Sequence, residues 1–325
     1  MAPICLITGG SGFVGGRLIE RLIAQGWQVR ALARSDEAMR TVEERGAQAV
    51  RGSLDDMASL TIATHGCSVV LHVAALFKLW GNHDEFERSN VLGTANLLRA
   101  AEAASVKRFV QVGAAAVVMG DLAPMLQANE SLPRKERAWA PYSASKARSE
   151  ALVLGANRPG VFETVVIRPP MIWGTGMPTL DHMIETVKTG QFRWVGDGSQ
   201  AMSTAHVDNV CHAVELAIEK GLGGEAYFVS DGNDSTLKQV LSGLLQTRGI
   251  EPPRASAPLP IAWVMASMME WIWHTFSRRG EPPITRQMLR LIGKPFTLDI
   301  GKAQRELGYQ PIVSWEQGLK AMQGR

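Results

Sequence analysis

The sequence predicts an α/β protein, a doubly wound parallel sheet with a smaller, discontinuous C-terminal lobe. Three observations predict it. The glycine-rich stretch Thr8-Gly9-Gly10-Ser11-Gly12-Phe13-Val14-Gly15 lies between the apolar run Ile4-Cys5-Leu6-Ile7 and a helical pattern. Short apolar runs then alternate with helical segments as far as Arg168. Beyond Arg168 the alternation stops, and Met, Trp and Pro become frequent. At 325 residues the chain suits one large α/β unit, or a nucleotide domain with a smaller companion.

The run Ile4 to Ile7 is too short for a helix and reads as a buried parallel strand. Val14, Leu18, Ile19, Leu22 and Ile23 then recur at helical spacing, and Gly26 closes the run as a C′ glycine does. The glycines therefore sit where free backbone N–H groups and a helix dipole attract a pyrophosphate. Gly9 permits the tight turn, Gly12 the approach of phosphate and Gly15 the packing of helix on strand, with Ser11, Phe13 and Val14 completing the loop. The second strand is Gln28 to Ala33, ended by Arg34. An acid about twenty residues past the glycines holds a ribose 2′-hydroxyl, whereas a 2′-phosphate needs a cation. Arg34 stands at the strand end with Arg40 beyond it, and the acids Asp36 and Glu37 come late. The reading is NADP, with NAD the alternative; an ordinary solvated arginine is the bland account of Arg34.

Ala47 to Arg51 reads as the third strand, and Asp55 to Ala63 as a helix capped by Asp55 or Ser53. Ser68 to Val73 is the fourth strand; Ala74 and Ala75 behind it are small enough to pass under an adenine and its ribose. His72, inside an apolar strand, reads as a satisfied core histidine. Asn90 to Ala103 is helical, and Arg108 to Val112 is the fifth strand. Tyr142-Ser143-Ala144-Ser145-Lys146 opens a helix after Pro141, with tyrosine and lysine on one face. An ammonium beside a phenol favours phenolate, so the tyrosine's pKa should fall and let it exchange a proton with a substrate oxygen.

The 34 Lys and Arg against 31 Asp and Glu form no basic block, so no nucleic-acid partner is expected. Cys5, Cys67 and Cys211 are far apart with no metal-type spacing. They read as reduced buried thiols of a cytoplasmic protein without a metal site. Nothing ahead of the first strand reads as a signal peptide.

With these residues in hand the chain resembles the extended short-chain dehydrogenase/reductases of the NAD-dependent epimerase/dehydratase superfamily. The matching landmarks run in order from end to end: TGGSGFVG at 8–15, HVAA at 72–75, NVLGTANLL at 90–98, YSASK at 142–146, RPPMIWGTG at 168–176, HVDNV at 206–210 and LGYQP at 307–311. The resemblance implies a Rossmann domain binding NAD(P), drawn at 1–168 plus 206–231, and a substrate lobe at 169–205 plus 232–325. It makes Tyr142 the catalytic acid/base, assigns Lys146 to the nicotinamide ribose and to tuning Tyr142, and passes Pro169 to Ile172 along the nicotinamide. It also implies a homodimer through the helices that begin near Asn90 and Tyr142.

Two departures stand out. The family places a Ser or Thr after the fifth strand to hydrogen-bond the reacting oxygen; that position falls on Ala115, with no hydroxyl from Gly113 to Met119. Loss of such a donor costs on the order of a hundred- to a thousandfold in rate. Ser143 or Thr175 could substitute, Tyr142 could act alone, or turnover could be slow or absent. The second is Ser53-Leu54, where many members have Asp-Leu near the adenine.

In the lobe, Trp173, Met177, Met183, Trp194 and Met202 read either as an apolar substrate pocket or as core. Val207 to Lys220 reads as a helix whose start His206, Asp208 and Asn209 anchor, Ala226 to Val229 as a late strand, and Gly301 to Gly324 as a closing helical region. Sugar-nucleotide enzymes of the superfamily carry GDGxQxRDF here, whereas this chain has Met202 in place of the arginine. That, with RPPMIWGTG, makes it more similar to the 3β-hydroxysteroid dehydrogenase branch, which implies an apolar ketone or secondary alcohol as substrate. Pro258 to Phe276 is the most apolar segment, but Glu270 interrupts it short of a spanning length. With Arg278-Arg279 behind it, 258–279 reads as a lid helix, as core, or as a helix resting weakly on a membrane surface. The expected reaction is NADP-dependent hydride transfer to or from an apolar ketone or alcohol. The alternatives are a nucleotide-sugar epimerase/dehydratase and, given Ala115, a dinucleotide-binding sensor or assembly protein with little catalysis.

Overall fold

Seven strands form one all-parallel sheet: β1 Ile4–Thr8, β2 Gln28–Ala33, β3 Gln48–Arg51, β4 Val69–His72, β5 Arg108–Val112, β6 Glu163–Arg168 and β7 Glu225–Phe228. Their spatial order is β7-β6-β5-β4-β1-β2-β3. The structure, a computed structural model, describes residues 2–120, 122–276, 278 and 280–323. The strands read as short apolar runs because helices cover both faces. Along β1, Cys5 and Ile7 enter one core while Leu6 enters the other. The first core is closed by the helices Phe13–Ala24 and Val207–Lys220, the second by Met57–Thr64, Gly93–Ala103 and Pro141–Gly155. Arg17 Nε to Asp208 (2.6 Å) and Arg21 Nε to Glu215 (2.7 Å) tie the two helices of the first face together.

Several boundaries move for local reasons. The helix expected at 55–63 is Met57–Thr64, capped by Asp56, whose carboxylate accepts from the Ala58 amide. The helix expected from Asn90 begins earlier: a turn at His83–Phe86 runs through a π-helical stretch, Glu87–Leu92, into Gly93–Ala103. The expected closing helix is two, Gly301–Leu307 and Trp315–Met322. Gly308 (φ 69°) terminates the first, and Ser314 opens the second through a capping box with Gln317. Gly324 of that region, and Arg279 of the 258–279 segment, lie outside the described residues.

The remaining chain builds the lobe. Met125–Ala128, Ala201–Met202, Ser235–Thr236 and Phe296–Leu298 form a small mixed sheet. Around it lie the helices Pro178–Lys188, Leu237–Gln246, Leu259–Thr275 and Arg286–Ile292. Among the described residues no helix is long and apolar enough to cross a membrane.

Candidate active site

The parallel register aligns the carboxyl ends of the strands: Thr8 lies beside His72 and Leu32, Ala33 beside Arg51, His72 beside Gln111, and Val112 beside Ile167. Every candidate loop follows one of these ends, so sequence positions up to 160 residues apart share one edge. The chain leaves β1 with β4 on one side and β2 on the other, the switch point where open α/β sheets form their ligand crevice.

At that point the glycine loop is built by close approach. Gly9 has φ +74°, and a Cβ there would lie 2.7 Å from the Ala74 amide nitrogen. A Cβ on Gly15 would lie 2.2 Å from the Gly9 carbonyl oxygen, so the helix can pack on the turn only without one. Ser11 and Gly12 face outward, Phe13 is half-buried and Val14 is core. Gly12 caps the helix Phe13–Ala24 without a side-chain hydrogen bond, and no acid occupies the first turn. The helix therefore presents unneutralised amides at its positive end, which suits a pyrophosphate.

The next loops continue the edge. Arg34 is exposed behind β2 and makes no ion pair among the described residues; Arg51, at the end of β3, pairs with Asp36. Ser53 and Leu54 are half-buried, and the Leu54 carbonyl accepts from Asn96 Nδ2 at 2.8 Å. Ala74 is half-buried and Ala75 exposed. Pro169 is buried and its carbonyl accepts from the Ala115 amide (2.8 Å), while Ile172 is half-buried in Met171–Trp173.

Tyr142, Lys146 and Glu150 occupy successive turns of one face of Pro141–Gly155. Lys146 is buried, and its Nζ donates to the Val112 carbonyl at the end of β5 (2.9 Å). Burial pulls its pKa down to about 8, against the raising pull of Glu150. The Glu150 carboxylate is itself clamped by Arg168, with Nε at 3.0 Å, and that guanidinium lies over the Phe228 ring. Tyr142 packs against the apolar cluster that contains Ala114–Ala116 and meets Phe77 edge to face at 4.9 Å. Burial pushes its pKa up to about 12. This corrects the expected lowering: the Lys146 ammonium is engaged with a backbone carbonyl, and the phenol sits in an apolar wall.

The missing hydroxyl is not restored by either substitute. Ser143 is buried and accepts from Arg290 Nη1 at 3.0 Å; Thr175 is exposed and donates to the Ala321 carbonyl. No side chain among the described residues hydrogen-bonds the Tyr142 phenol oxygen. His72 is the satisfied core histidine expected, between Thr8 Oγ1 and Thr94 Oγ1 (both 2.8 Å), and burial lowers its pKa to about 3. His206 likewise caps a helix, accepting from the Asp208 amide.

Of the two readings of Trp173, Met177, Trp194 and Met202, pocket or core, the packing is that of a core of the lobe. Trp173 is fully buried, with Nε1 donating to Asp231 (2.7 Å) and its ring against His206 and Trp315. Trp194 is buried with Nε1 on the Pro253 carbonyl, Met202 is buried in a strand, and Met177 packs on the same cluster. Trp173, Trp194 and Met202 have their faces covered, whereas Met177 is half-buried. Residues that sequence reasoning missed stand nearer Tyr142. Phe77 is exposed beside the phenol, and Trp139 is half exposed under Arg286 and Arg290. Asn90 fastens the loop behind β4 to the helix Pro141–Gly155: it accepts from the Leu76 amide and donates to Ser145 Oγ. The one signal for Asn90 is a polar residue on the buried side of an otherwise apolar helical pattern.

Comparison with known proteins agrees with this geometry. The sequence profile of the 3-beta hydroxysteroid dehydrogenase/isomerase family matches residues 6–261. A curated relative from Stigmatella aurantiaca, 4-hydroxy-2-methyl-3-oxo-4-farnesyl-3,4-dihydroquinoline-1-oxide ketoreductase, is 43% identical over 317 residues, covering 97% of this chain and 94% of its own. The 2-alkyl-3-oxoalkanoate reductase of Stenotrophomonas maltophilia is 34% identical over 98% of this chain and 97% of its own. The crystal structure of gox2253 superimposes with a TM-score of 0.80 at 28% identity, covering 98% and 96% of the two chains. The family implies a nicotinamide cofactor, and the exposed Ser11–Gly12 turn, at a helix N-terminus with no side-chain cap and no acid in its first turn, fits its pyrophosphate. The chain belongs to the 3-beta hydroxysteroid dehydrogenase/isomerase family and is an NAD(P)-dependent oxidoreductase of the extended short-chain dehydrogenase/reductase type.

Proposed function

We propose that the protein is an NADPH-dependent ketoreductase acting on an apolar ketone, with the secondary alcohol as product. The observation that carries this is the placement of Tyr142: a phenol above Lys146, on the carboxyl edge of the sheet, against Phe77 and the apolar cluster that contains Ala114–Ala116. In this reading 1–168 plus 206–231 binds the dinucleotide and 169–205 plus 232–325 forms the substrate lobe. Gly9, Ser11, Gly12, Phe13, Val14 and Gly15 hold the pyrophosphate, and Arg34 holds the 2′-phosphate, which favours NADP over NAD. Ser53, Leu54, Ala74 and Ala75 border the adenine and its ribose, while Pro169 and Ile172 border the nicotinamide.

The bound cofactor supplies the hydride. Tyr142 supplies the proton: its oxygen–hydrogen bond breaks as the ketone oxygen becomes a hydroxyl, and solvent then reprotonates the phenolate. A phenol whose burial holds its pKa near 12 is protonated at neutral pH, the state a reduction needs. Lys146 stabilises the transient phenolate by charge and orients the cofactor's ribose. With alanine at 115, the wall offers the substrate no second donor, so the apolar contacts must do the orienting.

Two curated relatives support the substrate class. Their names describe a 3-oxo group on a farnesyl-bearing ring and on an alkyl chain. The test is oxidation of NADPH, followed at its absorbance, with a panel of long-chain and ring-bearing 3-oxo compounds. Turnover that Tyr142→Phe reduces at least about a hundredfold, with dinucleotide affinity unchanged, supports the reading. Tight dinucleotide binding with no turnover on any ketone overturns it in favour of a sensor.

A further inference from the structure

We propose that Gln287 and Arg290, on the lobe helix Arg286–Ile292, are positioning residues that fix the direction of the Tyr142 phenol. Their effect on rate rests on the proposed reaction; the placement of the ring does not.

Three residues apart on a helix, Gln287 and Arg290 share one face, and both are buried. Leu289 of the same helix packs instead with Ala262 and Ala266 in a separate apolar cluster. Arg290 Nη1 donates to Ser143 Oγ at 3.0 Å, and Ser143 adjoins Tyr142 in Pro141–Gly155. Gln287 Nε2 donates to the Lys78 carbonyl at 3.2 Å. Lys78 follows Phe77, whose ring meets Tyr142 edge to face. On the other side of Phe77, Asn90 holds both main-chain groups of Leu76, accepting from its amide (2.7 Å) and donating to its carbonyl (3.1 Å). Asn90 also donates to Ser145 Oγ (3.0 Å), which donates to the Tyr142 carbonyl (2.8 Å). These bonds close a circuit around Tyr142. Phe77 lies between two tethered neighbours, Tyr142 between two tethered serines of its own helix turn and the residue before it, and the lobe helix joins the two sides.

Buried polar side chains are costly unless paired, and apolar side chains of similar volume would hold a core as well. Here Asn90, Ser143, Gln287 and Arg290, all buried, surround one phenol whose own wall is apolar. What their hydrogen bonds add is direction. The Tyr142 phenol oxygen has no side-chain partner among the described residues, and position 115 carries no hydroxyl to hold it. The direction of the ring is therefore set at its base, by the turn at Ser143 and by the Phe77 ring beside it. Misplacing a proton donor by about 1 Å costs on the order of a hundredfold in rate.

The test labels the full chain with 3-fluorotyrosine and follows the fluorine resonances of Tyr142, Tyr227 and Tyr309. The line that Tyr142→Phe removes belongs to Tyr142. Arg290→Met, Gln287→Leu and Ser143→Ala, each made alone, should displace that line and leave the other lines in place. Arg290→Lys keeps a donor for Ser143 and should leave every line in place. With NADPH and a ketone that the wild type reduces, Arg290→Met should lower kcat about thirty- to a hundredfold, with KM for NADPH within about twofold. The solvent deuterium isotope effect on kcat should rise, because proton transfer becomes the slow step. Adding Ser143→Ala to Arg290→Met should cost nothing further, since the two remove one bond. An unmoved Tyr142 line in both Arg290→Met and Ser143→Ala overturns the proposal. So does displacement of every line together, the mark of a fold loosened as a whole, and so does a displaced Tyr142 line with kcat unchanged. A wild type that reduces no ketone removes the proposed reaction, and the Tyr142 line still decides the placement.

Discussion

Lys146 Nζ donates to the Val112 carbonyl oxygen at 2.9 Å, and this contact fixes the helix carrying Tyr142 to the end of the interior strand β5. The ammonium is buried, so the carbonyl and the Glu150 carboxylate one turn on are what offset its lost hydration. A lysine held this way is charged at neutral pH and gives up its proton near pH 8, within reach of ordinary assays.

Lys146→Met is expected to lower kcat about a hundredfold while the protein still folds. The sign of the pH effect follows from the lowered pKa. The Lys146 charge, to which the proposed reaction assigns the stabilising of phenolate, is present below about 8 and lost above it, so wild-type kcat should decline through that region. In the methionine variant that decline should vanish. Rate profiles from pH 6 to about 10 check it.

Ala115→Ser places a hydroxyl where the family has one. Ala115 is buried in the layer that packs on Tyr142. The expected outcome is a gain in kcat of about tenfold, a part of what one such donor supplies. A loss of about 1–3 kcal/mol in stability should accompany it, because the hydroxyl enters an apolar layer. Steady-state kinetics and urea unfolding read the two effects separately.

Gly15→Ala must shift backbone, since its Cβ would lie 2.2 Å from the Gly9 carbonyl oxygen. Stability should fall by about 1–3 kcal/mol and dinucleotide affinity by more than about tenfold. Denaturant melts and fluorescence titration with NADPH check this.

Arg34→Asp tests the preference between dinucleotides. Arg34 is exposed and makes no ion pair among the described residues, so the fold should be unaffected. Selectivity for NADPH over NADH should fall about ten- to a hundredfold, the range for a charged hydrogen bond to phosphate. Comparison of kcat/KM for the two dinucleotides decides it.

His72 links acid to stability. Its pKa is lowered to about 3 by burial and by the Lys146 charge, so the neutral ring is the folded form. That stability is complete above the unfolded value of about 6.5 and is lost progressively as pH falls toward 3, about 2 kcal/mol of it by pH 5. His72→Asn should be less stable than wild type at pH 7, having lost the bond to Thr94, but its stability should fall less steeply from pH 6.5 to 4.5. Urea melts across that range measure both.

The Rossmann half was legible because its signals are local. A buried parallel strand is a short apolar run, a tight turn needs glycine, and a helix shows its face at fixed spacing, so β1, the glycine loop and the Tyr142 helix stand in the sequence as they stand in the molecule. The start of the Gly93–Ala103 segment was less legible, because the π-helical stretch that turns Asn90 toward Leu76 breaks the periodicity. The lobe was hardest. Trp173 and Trp194 carry the same composition in a pocket as in a core, and only their covered faces and paired ring nitrogens assign them to the core.

By itself the sequence determined the fold class, the glycine cradle, the Tyr142–Lys146 face and the absence of a hydroxyl at Ala115, because each depends on residues near one another in the chain. Tertiary structure alone decided that the Tyr142 phenol sits in an apolar wall, that Ser143 answers to Arg290, and that the helix Leu259–Thr275 turns an apolar face outward. Burial and pairing depend on which distant segment arrives to cover a side chain, and spacing along the chain carries no record of that.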